Sequence, residues 1–440
     1  MSEEIKSTPS EHERAVPVKK HPAWWVPSLY FGEGLPMITV SVVAALMYKN
    51  LGVSNSAIAF HTGLLYLPWS LKPLWAPFTE MFKTKRHWVL AMEFMMAVTL
   101  GCVALALPLP SFMPITLAFF WLTGFLSSTQ DITADGVYIS VMSNEEQSKW
   151  VGIQGIFWNM GRILASGVLV TFTQVLYKST QSWVTSWMVV MGILAAIMAL
   201  LGLWHIRVLP QDPQVGKPPE SFKEAMSSFG DTLVTFFKKK DIWMMIAFVL
   251  LYRSGEGFLE KIGPLFMLDQ ARVGGLGLTN DALGNINGIF GTIGFMVGAL
   301  LGGAYAAKKG LHNTLFILCL ALNIPNATYI YLSHARPDTF AEIATLVTLE
   351  KLGYGFGSVG HMLYMMQQIA PGKYKTAHYA FATSLMGFGL MVPSALSGWV
   401  QEEIGYQNFF IFVMVAIIPS FLASWFAPFR STDETQEVIS

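Results

Sequence analysis

The chain has 440 residues, 53% of them hydrophobic and 13% charged, with no net charge and a mean hydropathy of +0.47. Soluble domains carry roughly 25% charged residues, so this composition excludes an ordinary water-soluble fold and points to a chain largely buried in lipid. Zero net charge argues against a nucleic-acid partner. Cys102 and Cys319, both inside apolar stretches, give neither a disulfide framework nor a metal-ligand spacing.

Residues 1–23 read as a polar N-terminal tail without the apolar core of a cleavable signal. A spanning helix needs roughly 20 mostly apolar residues. Twelve segments qualify and are numbered here as spans 1 to 12: 24–48, 56–77, 88–107, 112–140, 150–172, 184–206, 242–267, 282–306, 314–333, 340–366, 376–399 and 408–427. The pattern predicts an all-α membrane protein. Its expected divisions are an N-terminal six-helix bundle over 24–206, a linker over 207–241, a C-terminal six-helix bundle over 242–427 and a tail over 428–440.

The linker begins with a flexible stretch from Pro210 to Pro219. Ser221 and Glu224 then form a capping-box pattern. Phe222, Met226, Phe229, Leu233 and Phe237 recur at helical spacing before Lys238-Lys239-Lys240. The expectation is an amphipathic helix on the cytoplasmic membrane surface, with packing on protein alone as the other reading. With the N-terminus inside, nineteen Lys and Arg residues fall on the cytoplasmic side and four outside. Both termini are therefore expected in the cytoplasm.

A carboxylate at the centre of a spanning helix costs at least ~2.5 kcal/mol and marks a functional position by default. Span 1 holds Glu33 in Gly32-Glu33-Gly34, with Tyr30 one turn earlier on the same face and Pro36 weakening the helix after it. Glu33 is a candidate for proton coupling or ligand binding; a static ion pair is the alternative. Span 2 contains Lys72. Span 4 carries Gln130 and then Asp131 and Asp135, which share a helix face. Two stacked carboxylates need a cation or a proton. Lys72 sits at a depth similar to Asp135, so Lys72–Asp135 is the expected structural pair. That leaves Asp131 for proton coupling or substrate contact and Gln130 for the cavity wall.

In span 5, Trp158, Asn159 and Arg162 suit the wall of a site for an anionic or sugar-like ligand. Arg162 is equally a candidate partner for Glu33 or Asp131. Span 7 repeats the Gly-Glu-Gly motif as Gly255-Glu256-Gly257, flanked by Arg253, Glu260 and Lys261. These four charged groups form either a self-neutralised network or a proton and substrate site. Gly263-Pro264 predicts a kink. Span 10 carries Glu350, Lys351, glycines at 353, 355, 357 and 360, and His361. The glycines allow close helix packing, and His361 is either a proton carrier or a hydrogen-bonded structural histidine.

The repeated Gly-Glu-Gly, with Gly124-Phe125-x-Ser127 echoed by Gly355-Phe356-x-Ser358, indicates two parallel halves. Such halves fit the major facilitator fold, two six-helix bundles around a central cavity lined by spans 1, 4, 7 and 10. Glu80 followed by Lys83, Lys85 and Arg86 loosely matches the loop signature between spans 2 and 3 of that fold.

Three motifs sharpen the match: Tyr30-Phe31-x-x-Gly34-Leu35-Pro36, Pro68-Trp69-Ser70-Leu71-Lys72-x-Leu74-Trp75-Ala76-Pro77 and Thr129-Gln130-Asp131-Ile132-x-x-Asp135-Gly136. They resemble the peptide/acetyl-CoA transporter family of the major facilitator superfamily, the branch of the AmpG-like muropeptide permeases. The resemblance implies a secondary active transporter in the bacterial cytoplasmic membrane. It implies proton-coupled import of a peptidoglycan-derived amino sugar or muropeptide of the N-acetylmuramic acid type. Glu33 departs from the small or neutral residue expected there.

Another anionic solute, such as a siderophore or an acyl-CoA, is the alternative cargo. A polytopic transferase would need a cluster of reactive side chains near one interface, so an enzyme is not expected. The expected partners are a small-molecule solute, protons and membrane lipid, with no cofactor, no metal and a monomeric chain.

Overall fold

A computed structural model describes residues 20–81, 83–211, 222–372 and 374–429. The two expected tails fall almost wholly outside these residues, as do Ser221 of the capping box and most of the flexible stretch before it.

The described residues are helical almost throughout. Nine helices among them are long and apolar enough to cross a membrane: Pro22–Asn50, Lys85–Ala106, Phe112–Val141, Lys149–Thr180, Trp183–Val208, Ile242–Leu268, Asn280–Lys309, Leu311–Ala335 and Ala377–Trp425. They correspond to spans 1, 3 to 9, and 11 with 12. Spans 11 and 12 run together as Lys375–Ala416 and Ile418–Trp425, with the turn between them made at Gly405, where φ is +73°. Span 2 is α-helical over Asn55–Leu64, Leu67–Leu71 and Ala76–Met81, broken after Leu64 and again by a 3-10 turn at Lys72–Leu74. Its two breaks fall beside Pro68 and Pro73, which remove amide donors from the helical ladder. Span 10, Phe340–Tyr364, is a full helix, but Glu342, Glu350, Lys351 and its glycines dilute its apolar character. The twelve expected spans are thus all helical, in order.

The apolar exterior suits lipid. Leu105 is 74% exposed and Leu300 75%, with Leu200, Val98 and Trp243 also bare. Such a belt is untenable in water and ordinary against acyl chains. Close backbone contact holds spans 8 and 10 together: a Cβ on Gly355 would lie 2.0 Å from the Phe295 carbonyl oxygen, and one on Gly298 2.0 Å from that of Leu352. Span 10 also presses Gly357 against the Leu318 carbonyl of span 9, so the predicted close packing occurs on two sides.

Local irregularities differ from expectation in two places. Helix 1 runs through Pro36, and the disturbance comes one turn later as a π-helical stretch, Thr39–Val43. Span 7 stays helical across Gly263-Pro264 within Ser254–Leu268, and its break lies at Tyr252-Arg253. The reason is tertiary. The Tyr252 hydroxyl donates to the Gly357 carbonyl at 2.9 Å, and Ser254 Oγ donates to the Ala416 carbonyl at 2.6 Å. These bonds to spans 10 and 12 pull the two helical pieces out of line.

The linker forms a helix over Phe222–Phe237. Its C-terminal end docks on protein: Phe236 is buried, its ring 5.7 Å from those of His378 and Phe381, and Thr235 Oγ1 meets His378 Nε2 at 3.1 Å. The side chains expected to begin the apolar stripe, up to Phe229, lie outside the described ones. Both described chain ends sit on one face of the molecule. There Lys20 Nζ donates to the Arg207 carbonyl, Arg86 Nη2 donates to the Ile206 carbonyl at 2.5 Å, and the Tyr364 hydroxyl donates to Pro428. Basic groups thus satisfy the free carbonyls that end span 6.

Candidate substrate and proton site

The charged side chains inside the helices form two clusters. In the first, Lys72 Nζ pairs with Asp131 Oδ2, with the two side chains 26% and 16% exposed. The Tyr30 hydroxyl donates to Asp135 Oδ1 at 2.9 Å. Glu33 is 8% exposed and has Asp131, Asp135 and Lys72 as its charged neighbours. Its Oε2 has no hydrogen-bond partner among the described residues. The cluster therefore brings Tyr30, Glu33, Lys72, Asp131 and Asp135 together from spans 1, 2 and 4.

The partner of Lys72 differs from the predicted one. The pair forms with Asp131 instead of Asp135. A depth counted along one unbroken helix misplaces Lys72, because span 2 is interrupted at Tyr66 and again at Lys72–Leu74. Tyr30 occupies Asp135 in its place. Gln130 is fully buried between helices, its Nε2 donating to Glu93 Oε1 at 2.9 Å.

In the second cluster, Lys351 Nζ lies 3.4 Å from Glu256 Oε1 and 3.2 Å from Glu350 Oε2, with both carboxylates fully buried. Tyr354 offers its ring to two cations, Arg253 at 4.8 Å and Lys351 at 5.4 Å from the centroid. Within span 7 the charges of Glu256 and Glu260 act on Arg253 and that of Glu260 on Lys261, but the close contacts of these four groups are with other spans. The backbone break at Arg253 turns it onto Tyr354, and Lys351 of span 10 takes Glu256. Lys261 Nζ donates to the Ser41 carbonyl at 2.7 Å, while Glu260 Oε1 accepts from the Tyr66 hydroxyl at 3.1 Å. These last two contacts join the halves.

Arg162 is not the partner of Glu33 or Asp131; its charge acts on Tyr66 and Glu350. Asn159 Nδ2 bonds within its own helix, to the Gly155 carbonyl at 2.9 Å. Trp158 packs on span 1, where a Cβ on Gly34 would lie 2.4 Å from the Trp158 carbonyl oxygen. His361 of span 10 is buried. Its ring lies against Phe248 at 5.7 Å and Tyr252 at 4.8 Å, and neither ring nitrogen has a hydrogen-bond partner among the described residues. The charge of Arg253 and the backbone of Val249 also reach this ring.

Two polar networks were not anticipated. Glu93 accepts from Gln130 and meets His205 Nδ1 at 2.8 Å, while His205 Nε2 meets Ser28 Oγ at 2.9 Å. Three spans, 3, 4 and 6, are tied to span 1 by these bonds. No periodic signal links Glu93 to His205; an isolated acid in one span and an isolated histidine in another were the only cues. We expect His205→Ala to cost about 3 kcal/mol, because it strands Glu93 in a dry interior. The check is thermal unfolding in detergent, with KM for uptake by the surviving protein unchanged.

The second network closes the face opposite the chain ends. Lys49 Nζ lies 2.6 Å from Asp269 Oδ1 and donates to Asn55 Oδ1 at 2.7 Å. Asn55 Nδ2 bonds Gln401 and Tyr406, and the Tyr406 hydroxyl bonds Asp269 at 2.5 Å. Nearby, Asn280 Nδ2 reaches Asn50 Oδ1 at 2.6 Å and Thr173 Oγ1 at 2.7 Å. Span 2 packs on span 11 and span 5 on span 8 beneath these bonds, so the two halves touch most closely there.

The sequence profile described as Major Facilitator Superfamily matches residues 28–377. The chain belongs to this superfamily. The facilitator is 25% identical over 418 residues to an uncharacterized protein of Haemophilus influenzae, covering 91% of this chain and 93% of that one. It is 22% identical over 402 residues to the anhydromuropeptide permease of Escherichia coli K12, covering 90% and 77%. Its fold matches the nucleoside transporter NupG with a TM-score of 0.69 at 15% identity, over 92% and 98% of the two chains. It matches the D-xylose-proton symporter with a TM-score of 0.66 at 12% identity, over 92% and 96%. The facilitator is thus an AmpG-like, multi-pass membrane transporter of small molecules, with two six-helix bundles.

Proposed function

We propose that this facilitator is a proton-coupled importer of amino-sugar acids of the N-acetylmuramic acid type, free or as muropeptides. The observation that carries the reading is the first cluster: three carboxylates, Glu33, Asp131 and Asp135, arranged about a single ammonium, that of Lys72. If all three were ionised the group would hold two negative charges in excess, inside a membrane. A bound proton removes one, and its release on the other side completes a coupling cycle. Glu33 is the proposed coupling residue, because Asp131 and Asp135 are among its charged neighbours and its Oε2 has no hydrogen-bond partner among the described residues. The second cluster, with Arg253 and Lys351 on Tyr354, is the proposed counterpart for an anionic sugar, since it pairs cations with an aromatic face. The face bearing the chain ends is taken as cytoplasmic, in accord with its basic residues, and the membrane as the bacterial inner membrane.

The test is uptake of labelled N-acetylmuramic acid and anhydro-muropeptides into proteoliposomes. One pH unit, acid outside, supplies about 1.4 kcal/mol per proton, enough for roughly tenfold accumulation. Glu33→Gln should abolish that accumulation and keep counterflow exchange. Equal uptake with and without the gradient would remove proton coupling. Uptake of acyl-CoA or a siderophore in preference to the sugars would replace the cargo.

A further inference from the structure

A cavity lies apart from both charged clusters, at the face opposite the chain ends. It has a volume of about 810 Å³ and is walled by both halves. Its floor is the closed network of Lys49, Asp269, Asn55 and Asn280 described above. On one wall Tyr177 and Trp183 stack on each other, centroids 4.0 Å apart and planes 11° from parallel. Carboxamides of Asn50, Gln174, Asn280 and Gln401 face the same space.

The charges around the cavity are uneven in how they are used. Lys49 is paired with Asp269, and Glu402 accepts the Ser56 amide at 2.9 Å. Arg272, on the rim, donates Nε to the neutral Gln270 Oε1 at 2.6 Å and pairs with no carboxylate among the described residues. The lining therefore offers the Arg272 guanidinium, with the Glu402 carboxylate as the other charge held in no ion pair among the described residues, a rigid aromatic platform and several amide groups. That combination matches one ligand class. A pyranose ring lies on an aromatic face through its C–H groups, an acetamido group exchanges hydrogen bonds with carboxamides, and a carboxylate takes the guanidinium. The size is right as well: sites of 300–1,000 Å³ hold small molecules.

We propose that this cavity is an outer loading site for an N-acetylated sugar acid, with Trp183 and Tyr177 as its platform and Arg272 as its anion contact. The ligand waits there above the closed network and descends when the halves part. The proposal rests on the cargo reading given above and adds a second site to it. Neither Trp183 nor Arg272 touches the membrane-buried clusters, so capture can be altered with the coupling machinery intact.

The experiment is uptake kinetics in proteoliposomes driven by an inward proton gradient, with labelled N-acetylmuramic acid as the probe. Arg272→Gln and Trp183→Ala are each expected to raise KM about tenfold, the equivalent of one charge-assisted contact, and to leave kcat within a factor of two. Trp183→Phe preserves the stack and should keep the wild-type KM, which separates loss of the platform from misfolding. Unchanged KM in both Arg272→Gln and Trp183→Ala, with wild-type uptake intact, overturns the loading site and leaves the cargo reading standing. No uptake of the sugar acid by the wild-type protein overturns the cargo reading, and this site with it.

Discussion

Lys72→Met is expected to cost about 3 kcal/mol of stability and to abolish uptake. The substitution keeps the length and bulk of the side chain but leaves Glu33, Asp131 and Asp135 facing one another without a cation. The penalty falls short of the largest values for buried pairs because Lys72 and Asp131 are 26% and 16% exposed, so water screens part of the charge. Adding Asp131→Asn should recover most of the lost stability, since it removes the stranded partner. It should not recover transport if Asp131 and Glu33 share the proton. A melting curve in detergent and a counterflow assay on the two single variants and the double variant separate these effects by a double-mutant cycle. Additive stabilities would show that Lys72 and Asp131 do not depend on each other and would sink the cluster as the unit of function.

Gly288→Leu is expected to hold the far face open and to cut uptake at least tenfold. A Cβ at this position would lie 2.4 Å from Gly167 Cα and from the Ser166 carbonyl oxygen, so spans 5 and 8 meet backbone to backbone. No rotamer relieves such a clash, and only separation of the helices makes room. The contact joins the two halves and not helices within one half, so each bundle should still fold. Thr173 is fully buried at this seam. With the native cysteines replaced, Thr173→Cys should resist a water-soluble maleimide in the otherwise wild-type protein and react in the Gly288→Leu background. Continued resistance together with normal uptake would mean that the far face does not need to close by this contact.

Much of the architecture is legible in the order of residues. Apolar segments of membrane length are a one-dimensional signal, and each of the twelve became helical. The charged residues inside them were legible for a similar reason: a Glu in a run of Gly, Leu and Phe stands out wherever the chain goes. Glycines spaced through span 10 announced a close helix neighbour, and spans 8 and 9 both supply one.

Partner choice was not legible. Lys72 meets Asp131 because two prolines break span 2, and a fraction of a turn decides which of two acids a lysine reaches. Arg253 lies on Tyr354 and Glu256 on Lys351, although Arg253 and Glu256 belong to one span at helical spacing. Helical spacing states which side chains share a face, but not which other helix fills the space in front of it. His205 and Glu93, 112 positions apart, illustrate the same limit.

By itself, then, the order of residues determined that this chain crosses the membrane repeatedly, in two similar halves, with acids and bases held inside. Those properties follow from hydrophobicity, which each segment carries locally. Tertiary structure alone decided how the buried charges divide into two clusters, where the helices break, and that a polar seam with a walled cavity closes the face away from the chain ends. Each of these depends on distances between helices remote in sequence, which are set by packing shape and hydrogen-bond satisfaction over the whole bundle.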